Sequence, residues 1–144
     1  MSRKKVIILL LLICIIAIAA SALFAINKRH TDWVVDAYIA ALENAKAHFS
    51  DYHTTGSNSS YTKGVTALND AVQIILTEGE RLDIYQERQT LLASYNILFP
   101  HPDSIDDNIP MLLSALDRII KDPQKRVSYC ELLDFYNVCN HTAG

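Results

Sequence analysis

Residues 6–26 contain no charged residue, no proline and no glycine. A helix rises about 1.5 Å per residue, so a run of this length reaches across a hydrocarbon layer roughly 30 Å thick. Ser2-Arg3-Lys4-Lys5 leads into the run and Asn27-Lys28-Arg29-His30 closes it. No later stretch limits the chain as sharply.

Two fates are open to such a segment. For cleavage, Arg3-Lys4-Lys5 is a basic leader and Val6 to Ile18 an apolar core. Ala20, Ser21 and Ala22 then form a small-x-small processing site. For retention, Leu23, Phe24, Ala25 and Ile26 carry the apolar run past that site to Lys28-Arg29, which ends it like a stop-transfer flank. The length favours the retained anchor. Arg3, Lys4, Lys5 and the α-amino group outweigh Lys28 and Arg29, which sets the N-terminus in the cytoplasm. The expected organisation is a basic flank at 1–5, a transmembrane anchor at 6–26 and an extracytoplasmic domain at 27–144. Cys14 is preceded by Ile13, not the small residue a lipoprotein signal uses, and reads as a small apolar residue in lipid.

Beyond the anchor the chain is acidic. Three of its 13 Lys/Arg lie in the leader, so 10 remain against 16 Asp/Glu, a net charge of −6. No basic cluster exceeds the pairs Lys28-Arg29 and Lys125-Arg126, too little for a nucleic-acid footprint. The surface is that of an ordinary soluble domain.

The pattern is helical throughout. Trp33, Val34, Ala37, Tyr38, Ala41, Ala45, His48, Phe49 and Tyr52 recur at steps of three and four. Thr31 or Asp32 offers a cap for a fresh start. Without one, anchor and first helix form a single rod of about 50 residues. Trp33 and Tyr38 read as an aromatic belt at the membrane surface. His53 to Ser60 is a polar break. A second helix is predicted from about Thr62 to Thr77 on Val65, Leu68, Ala71, Val72, Ile75 and Leu76, with Gly79 as a C′ residue or a tolerated interior glycine. A third stretch to Leu98 places Leu82, Tyr85, Leu92, Tyr95 and Phe99 on one side. Pro100-His101-Pro102 stops it. The fourth begins near Ser104 or Asn108 on Ile109, Leu112, Leu113, Leu116, Ile119 and Ile120. Asp122-Pro123 is expected to open a fifth that buries Val127, Cys130, Leu133, Tyr136 and Phe135. No stretch alternates like a strand, so the expected fold class is all-α: an N-terminal transmembrane helix followed by a bundle of four to five helices.

Residues with chemical potential are few. Cys130 and Cys139 invite a disulfide in an oxidising compartment. Nine residues on one helix turn through half a revolution and advance about 13.5 Å, beyond the Cα limit of about 7 Å. A bridge therefore requires the helix to end near Phe135–Asn137. His30, His48, His53, His101 and His141 show no metal-ligand spacing. Asp103, Asp106 and Asp107 lack a calcium loop's glycine and read as acids favoured near a helix N-terminus. Glu78, Glu80, Asp83 and Glu87 read as a solvated acidic face. No nucleophile elbow, phosphate-cradling glycine loop, HExxH or local Cys–His pair occurs. No catalytic residue, metal or cofactor is assigned. Asn58-Ser59-Ser60 and Asn140-His141-Thr142 are glycosylation sequons in predicted exposed segments.

The expected function is a membrane-anchored, extracytoplasmic module that binds another protein. Tyr52, Tyr61 and Tyr129 are its candidate contact residues. The alternative, after cleavage near Ala22, is a secreted or periplasmic small-ligand or lipid carrier with a pocket between helices. An enzyme using scattered carboxylates and histidines ranks last.

Overall fold

The computed structural model describes residues 3–80, 87–100 and 103–142. They form five α-helices: α1 (Arg3–Thr55), α2 (Asn58–Glu78), α3 (Arg88–Leu98), α4 (Ile109–Lys121) and α5 (Cys130–Thr142). Single 3₁₀ segments at Asp103–Asn108 and Arg126–Tyr129 precede α4 and α5. There is no strand among the described residues. The chain is all-α, with one N-terminal helix long and apolar enough to span a membrane. It divides into two compact units, Met1–Trp33 and Val34–Gly144.

In the first unit, every side chain described from Leu10 to Arg29 is exposed. Thr31 and Asp32 cap no fresh start, because α1 continues through them. The Thr31 hydroxyl instead donates back to the Asn27 carbonyl at 3.1 Å. Trp33 is 66% exposed and stacks against the His30 ring.

The second unit holds the core. Its part of α1 buries Val34, Tyr38, Ala41, Leu42, Ala45, Phe49 and Tyr52; of the stripe that the three-and-four spacing predicts, Ala37 and His48 are only half-buried and Trp33 is exposed, while Leu42 is added. Tyr38 is fully buried in this core, which corrects its placement in a membrane-surface belt. The α2 stripe holds except at Leu76, which is exposed. Its start lies four residues ahead of Thr62, because Ser57 adopts an extended backbone and its side chain accepts from the Ser60 N–H. That is an N-cap contact. Gly79 is right-handed, so it is not a C′ glycine; a Cβ there would run into the Ile75 carbonyl oxygen.

Two helices are rotated from their expected faces. In α3 the buried residues are Leu91, Ser94 and Leu98, while Phe99 is exposed. Ser94 disguises this stripe as polar, although its hydroxyl is satisfied by the Thr90 carbonyl at 2.8 Å. Leu82 and Tyr85 lie outside the described residues. In the last segment, Asp122-Pro123 does not open α5. Asp122 closes α4, its N–H donating to the Arg118 and Ile119 carbonyls. Proline after a helix end and proline at a helix start give the same dipeptide. The 3₁₀ segment then resets the phase. Ser128, Tyr129, Leu132, Phe135 and Cys139 are buried, whereas Val127, Cys130 and Leu133 are exposed.

α5 packs against α3 and α4, and α3 against α2. Phe49 joins α1 to α2, its ring edge-on to Tyr61 at 5.7 Å.

Two glycines separate conformational from steric necessity. Gly56, φ +67°, follows α1 and donates its N–H to the Tyr52 carbonyl at 2.7 Å; a Cβ there would meet nothing. Gly56→Ala is expected to cost about 1 kcal/mol, the left-handed backbone penalty alone. Gly64 is helical, so alanine there gains roughly 1 kcal/mol of propensity. Its Cβ, however, would lie 3.0 Å from the fully buried Phe49 ring. Overpacking costs about 1–3 kcal/mol, so Gly64→Ala is expected to lower stability, and adding Phe49→Leu to remove that steric component. Denaturant unfolding of the single and double variants measures both.

Candidate functional site

The tyrosines expected to form a contact surface are core residues instead. Tyr52, Tyr61 and Tyr129 are 7%, 5% and 3% exposed. The reason is that each hydroxyl finds an internal acceptor, which lets the ring go inside. Tyr52 donates to Asp106 Oδ1 at 2.5 Å and Tyr61 to the Leu98 carbonyl at 2.6 Å. Tyr129 donates to the Pro123 carbonyl at 2.8 Å, and its oxygen lies 3.1 Å from the Tyr38 hydroxyl. With the Tyr129 proton committed to Pro123, Tyr38 is the donor within the pair.

Burial raises all four phenols. The Tyr52 hydroxyl is pushed up to about 12, by desolvation first and by its hydrogen bond to Asp106 second. Desolvation likewise carries Tyr38, Tyr61 and Tyr129 well above the ordinary phenol range, and holds up the buried Cys139 thiol.

The polar surface is organised as ion pairs. Asp117 on α4 accepts from Lys46 of α1 at 2.5 Å and from Lys121 at 2.6 Å. These two hydrogen bonds, Lys121 first, hold its carboxyl down to about 2. Glu131 of α5 pairs with Arg118 at 2.9 Å and accepts from Ser114 at 2.9 Å. Asp106 serves Tyr52, and Asp107 is exposed. His48 is half-buried and His53 and His141 are exposed, while His101 and Asp83 lie outside the described residues. Among the described residues no three His, Cys, Asp or Glu side chains converge on a point that could hold a metal.

Cys130 is exposed and Cys139 is buried. α5 runs unbroken through Phe135–Asn137, so the chain reversal that a bridge between them needs is absent from this helix. Ala20, Ser21 and Ala22 are helical and exposed within α1, the Ser21 hydroxyl donating to the Ala17 carbonyl at 2.7 Å. The sequon residues Asn58 and Asn140 are exposed, the first opening α2 and the second on α5.

Two of the surface clefts where another molecule can sit are lined in part by α3. One, of about 250 Å³, lies between α2 and α3 and is lined by Tyr61, Val65, Asn69, Tyr95 and Phe99 among others. The second, of about 190 Å³, is lined by Glu87, Thr90, Arg126, Tyr129, Cys130 and Leu133. Its distinguishing member is Glu87. Charge pattern places this residue on a solvated face, but the structure leaves it 9% exposed at the start of α3. No local signal separates it from Glu78 or Glu80; it shares its cleft with Tyr129 and Arg126, some forty residues further along the chain. No family model matches the chain, and no curated protein or solved structure resembles it.

The raised phenols fix how stability depends on alkaline pH. A neutral group raised on folding contributes stability that is complete below its unfolded value and is lost as pH climbs toward the folded one. Unfolding is therefore expected between pH 10, the ordinary phenol value, and about 12, where Tyr52 ionises. Tyrosinate absorbance followed alongside circular dichroism checks this. The four buried tyrosines are expected to ionise together with loss of helix.

Proposed function

We propose that residues 6–26 anchor the chain in a membrane as a single pass, with residues 1–5 in the cytoplasm and 27–144 outside. The helical domain then works as a protein-interaction or accessory module, by binding rather than by catalysis. One observation carries this reading: an apolar run long enough to span, whose described side chains from Leu10 to Ile26 are all exposed. An exposed apolar surface of that extent needs cover. Lipid supplies it along the whole length, with every backbone group already bonded inside the helix. The orientation follows from Arg3, Lys4 and Lys5 against Lys28 and Arg29. The binding role draws on an acidic helical domain with open clefts.

The protein from its native host is expected to stay with membranes through alkaline extraction and to keep its original N-terminus by intact mass. In intact cells a membrane-impermeant maleimide is expected to modify Cys130, which is exposed, and to spare Cys139, which is 1% exposed. Modification of Cys130 only after the cells are opened would reverse the orientation. A soluble protein beginning at Leu23 would replace the anchor with an exported carrier.

A further inference from the structure

We propose that the cleft lined by Glu87 is a docking pocket for a basic side chain, the guanidinium or ammonium group of an arginine or lysine presented by a partner protein. The proposal rests on the reading of the domain as a protein-interaction module and names the chemistry that one of its clefts selects.

The Glu87 side chain is 10% exposed, and among the described residues its ion pair is one long approach, 3.7 Å from Oε1 to the Arg126 Nε. That exceeds the 2.7–3.2 Å of a protein N–H···O hydrogen bond. The carboxyl group also makes no cap bond to the start of α3. Removing a carboxylate from water is costly unless close hydrogen bonds from donors replace its hydration. Elsewhere in this core the rule is kept: the hydroxyls of Tyr38, Tyr52, Tyr61 and Tyr129 all have partners.

The cleft supplies what a basic side chain needs. Glu87 lines the cleft and offers acceptor oxygens. The Tyr129 ring, Thr90 and Leu133, which is 46% exposed, supply apolar wall for the methylene stem of an arginine or lysine. A volume of about 190 Å³ takes one such side chain and little more. The net charge of −6 beyond residue 26 favours approach of a cationic partner. Arg126 is then a resident competitor. Its side chain is 83% exposed and touches Glu87 only at long range, so it can swing into solvent when a better-placed donor enters. A guest guanidinium entering end-on brings two parallel donors, which the side-on Nε of Arg126 does not.

The test uses the full chain, isotope-labelled in detergent micelles and titrated with N-acetyl-arginine methylamide. Its neutral counterpart, N-acetyl-citrulline methylamide, and free arginine are titrated in parallel. The capped arginine is expected to shift the amide signals of Thr90, Tyr129 and Leu133 saturably, and the citrulline probe to bind at least about tenfold more weakly. Glu87→Gln is expected to remove that preference. Arg126→Ala is expected to bind the capped arginine several-fold more tightly, because the competitor is gone. Equal responses to arginine and citrulline, no saturable shift, or weaker binding by Arg126→Ala would each overturn the proposal. Free arginine binding more tightly than the capped form would assign the cleft to a small amine instead of a protein side chain. Membrane extraction and the N-terminal mass do not enter this readout, so failure of the cleft and failure of the anchor are separate results.

Discussion

The Tyr38–Tyr129 hydrogen bond is the contact on which the core's arrangement turns. It links the second-unit part of α1 to the segment leading into α5, across 91 positions of sequence. Through Tyr129 it reaches the Pro123 carbonyl, just past the end of α4. Three parts of the chain are thus fixed by two hydroxyls. A proline carbonyl at a helix end must find a donor when buried, and Tyr129 is that donor. The arrangement also explains why the approach to α5 is a tight 3₁₀ segment: it brings Tyr129 inward while Val127 and Cys130 stay outside.

A parallel arrangement fixes the other end of the domain. Tyr52 near the end of α1 donates to Asp106 ahead of α4, and Tyr61 on α2 donates to the Leu98 carbonyl at the end of α3. The two rings meet edge-on at 5.0 Å. Aromatic rings supply the apolar area, and their hydroxyls satisfy helix ends that would otherwise be buried without partners. Ion pairs such as Lys46–Asp117 lie on the solvent side, where they add little to stability but help set the register of α1 against α4.

What the sequence makes legible follows from where its signals are local. The apolar run at 6–26, the α1 stripe through Tyr52 and the α4 face are periodic and uninterrupted, and the structure keeps them. The errors fall where a local pattern fits two structures. Asp122-Pro123 suits the end of one helix as well as the start of the next, and choosing the start puts Val127, Cys130 and Leu133 on the wrong face although Phe135 is buried as expected. Ser94 reads as polar because its hydrogen bond to Thr90 is invisible in composition. Tyr52, Tyr61 and Tyr129 read as contact residues because their acceptors, Asp106, Leu98 and Pro123, include two backbone carbonyls that no sequence pattern marks. The charge pattern that groups Glu87 with Glu78 and Glu80 carries no information about Tyr129, so the cleft was not legible at all.

Glu87 and the tyrosines lie under one rule and sit on opposite sides of it. A buried phenol gives up one donor's hydration and recovers it from a single acceptor, so each ring contributes to a closed, satisfied core. A carboxyl group gives up more and needs several donors to recover it. At Glu87 the ion-pair donor among the described residues stands 3.7 Å away on a side chain that is 83% exposed. If the residue served packing alone, a neutral side chain of similar size would fill the site without that cost. Packing alone does not account for the carboxyl group, and it lines an open cleft that admits a donor from outside. An all-helical bundle by itself selects no function. In this chain the proposed selective feature is a mostly buried carboxyl group lining one cleft, in a domain whose buried phenols have partners.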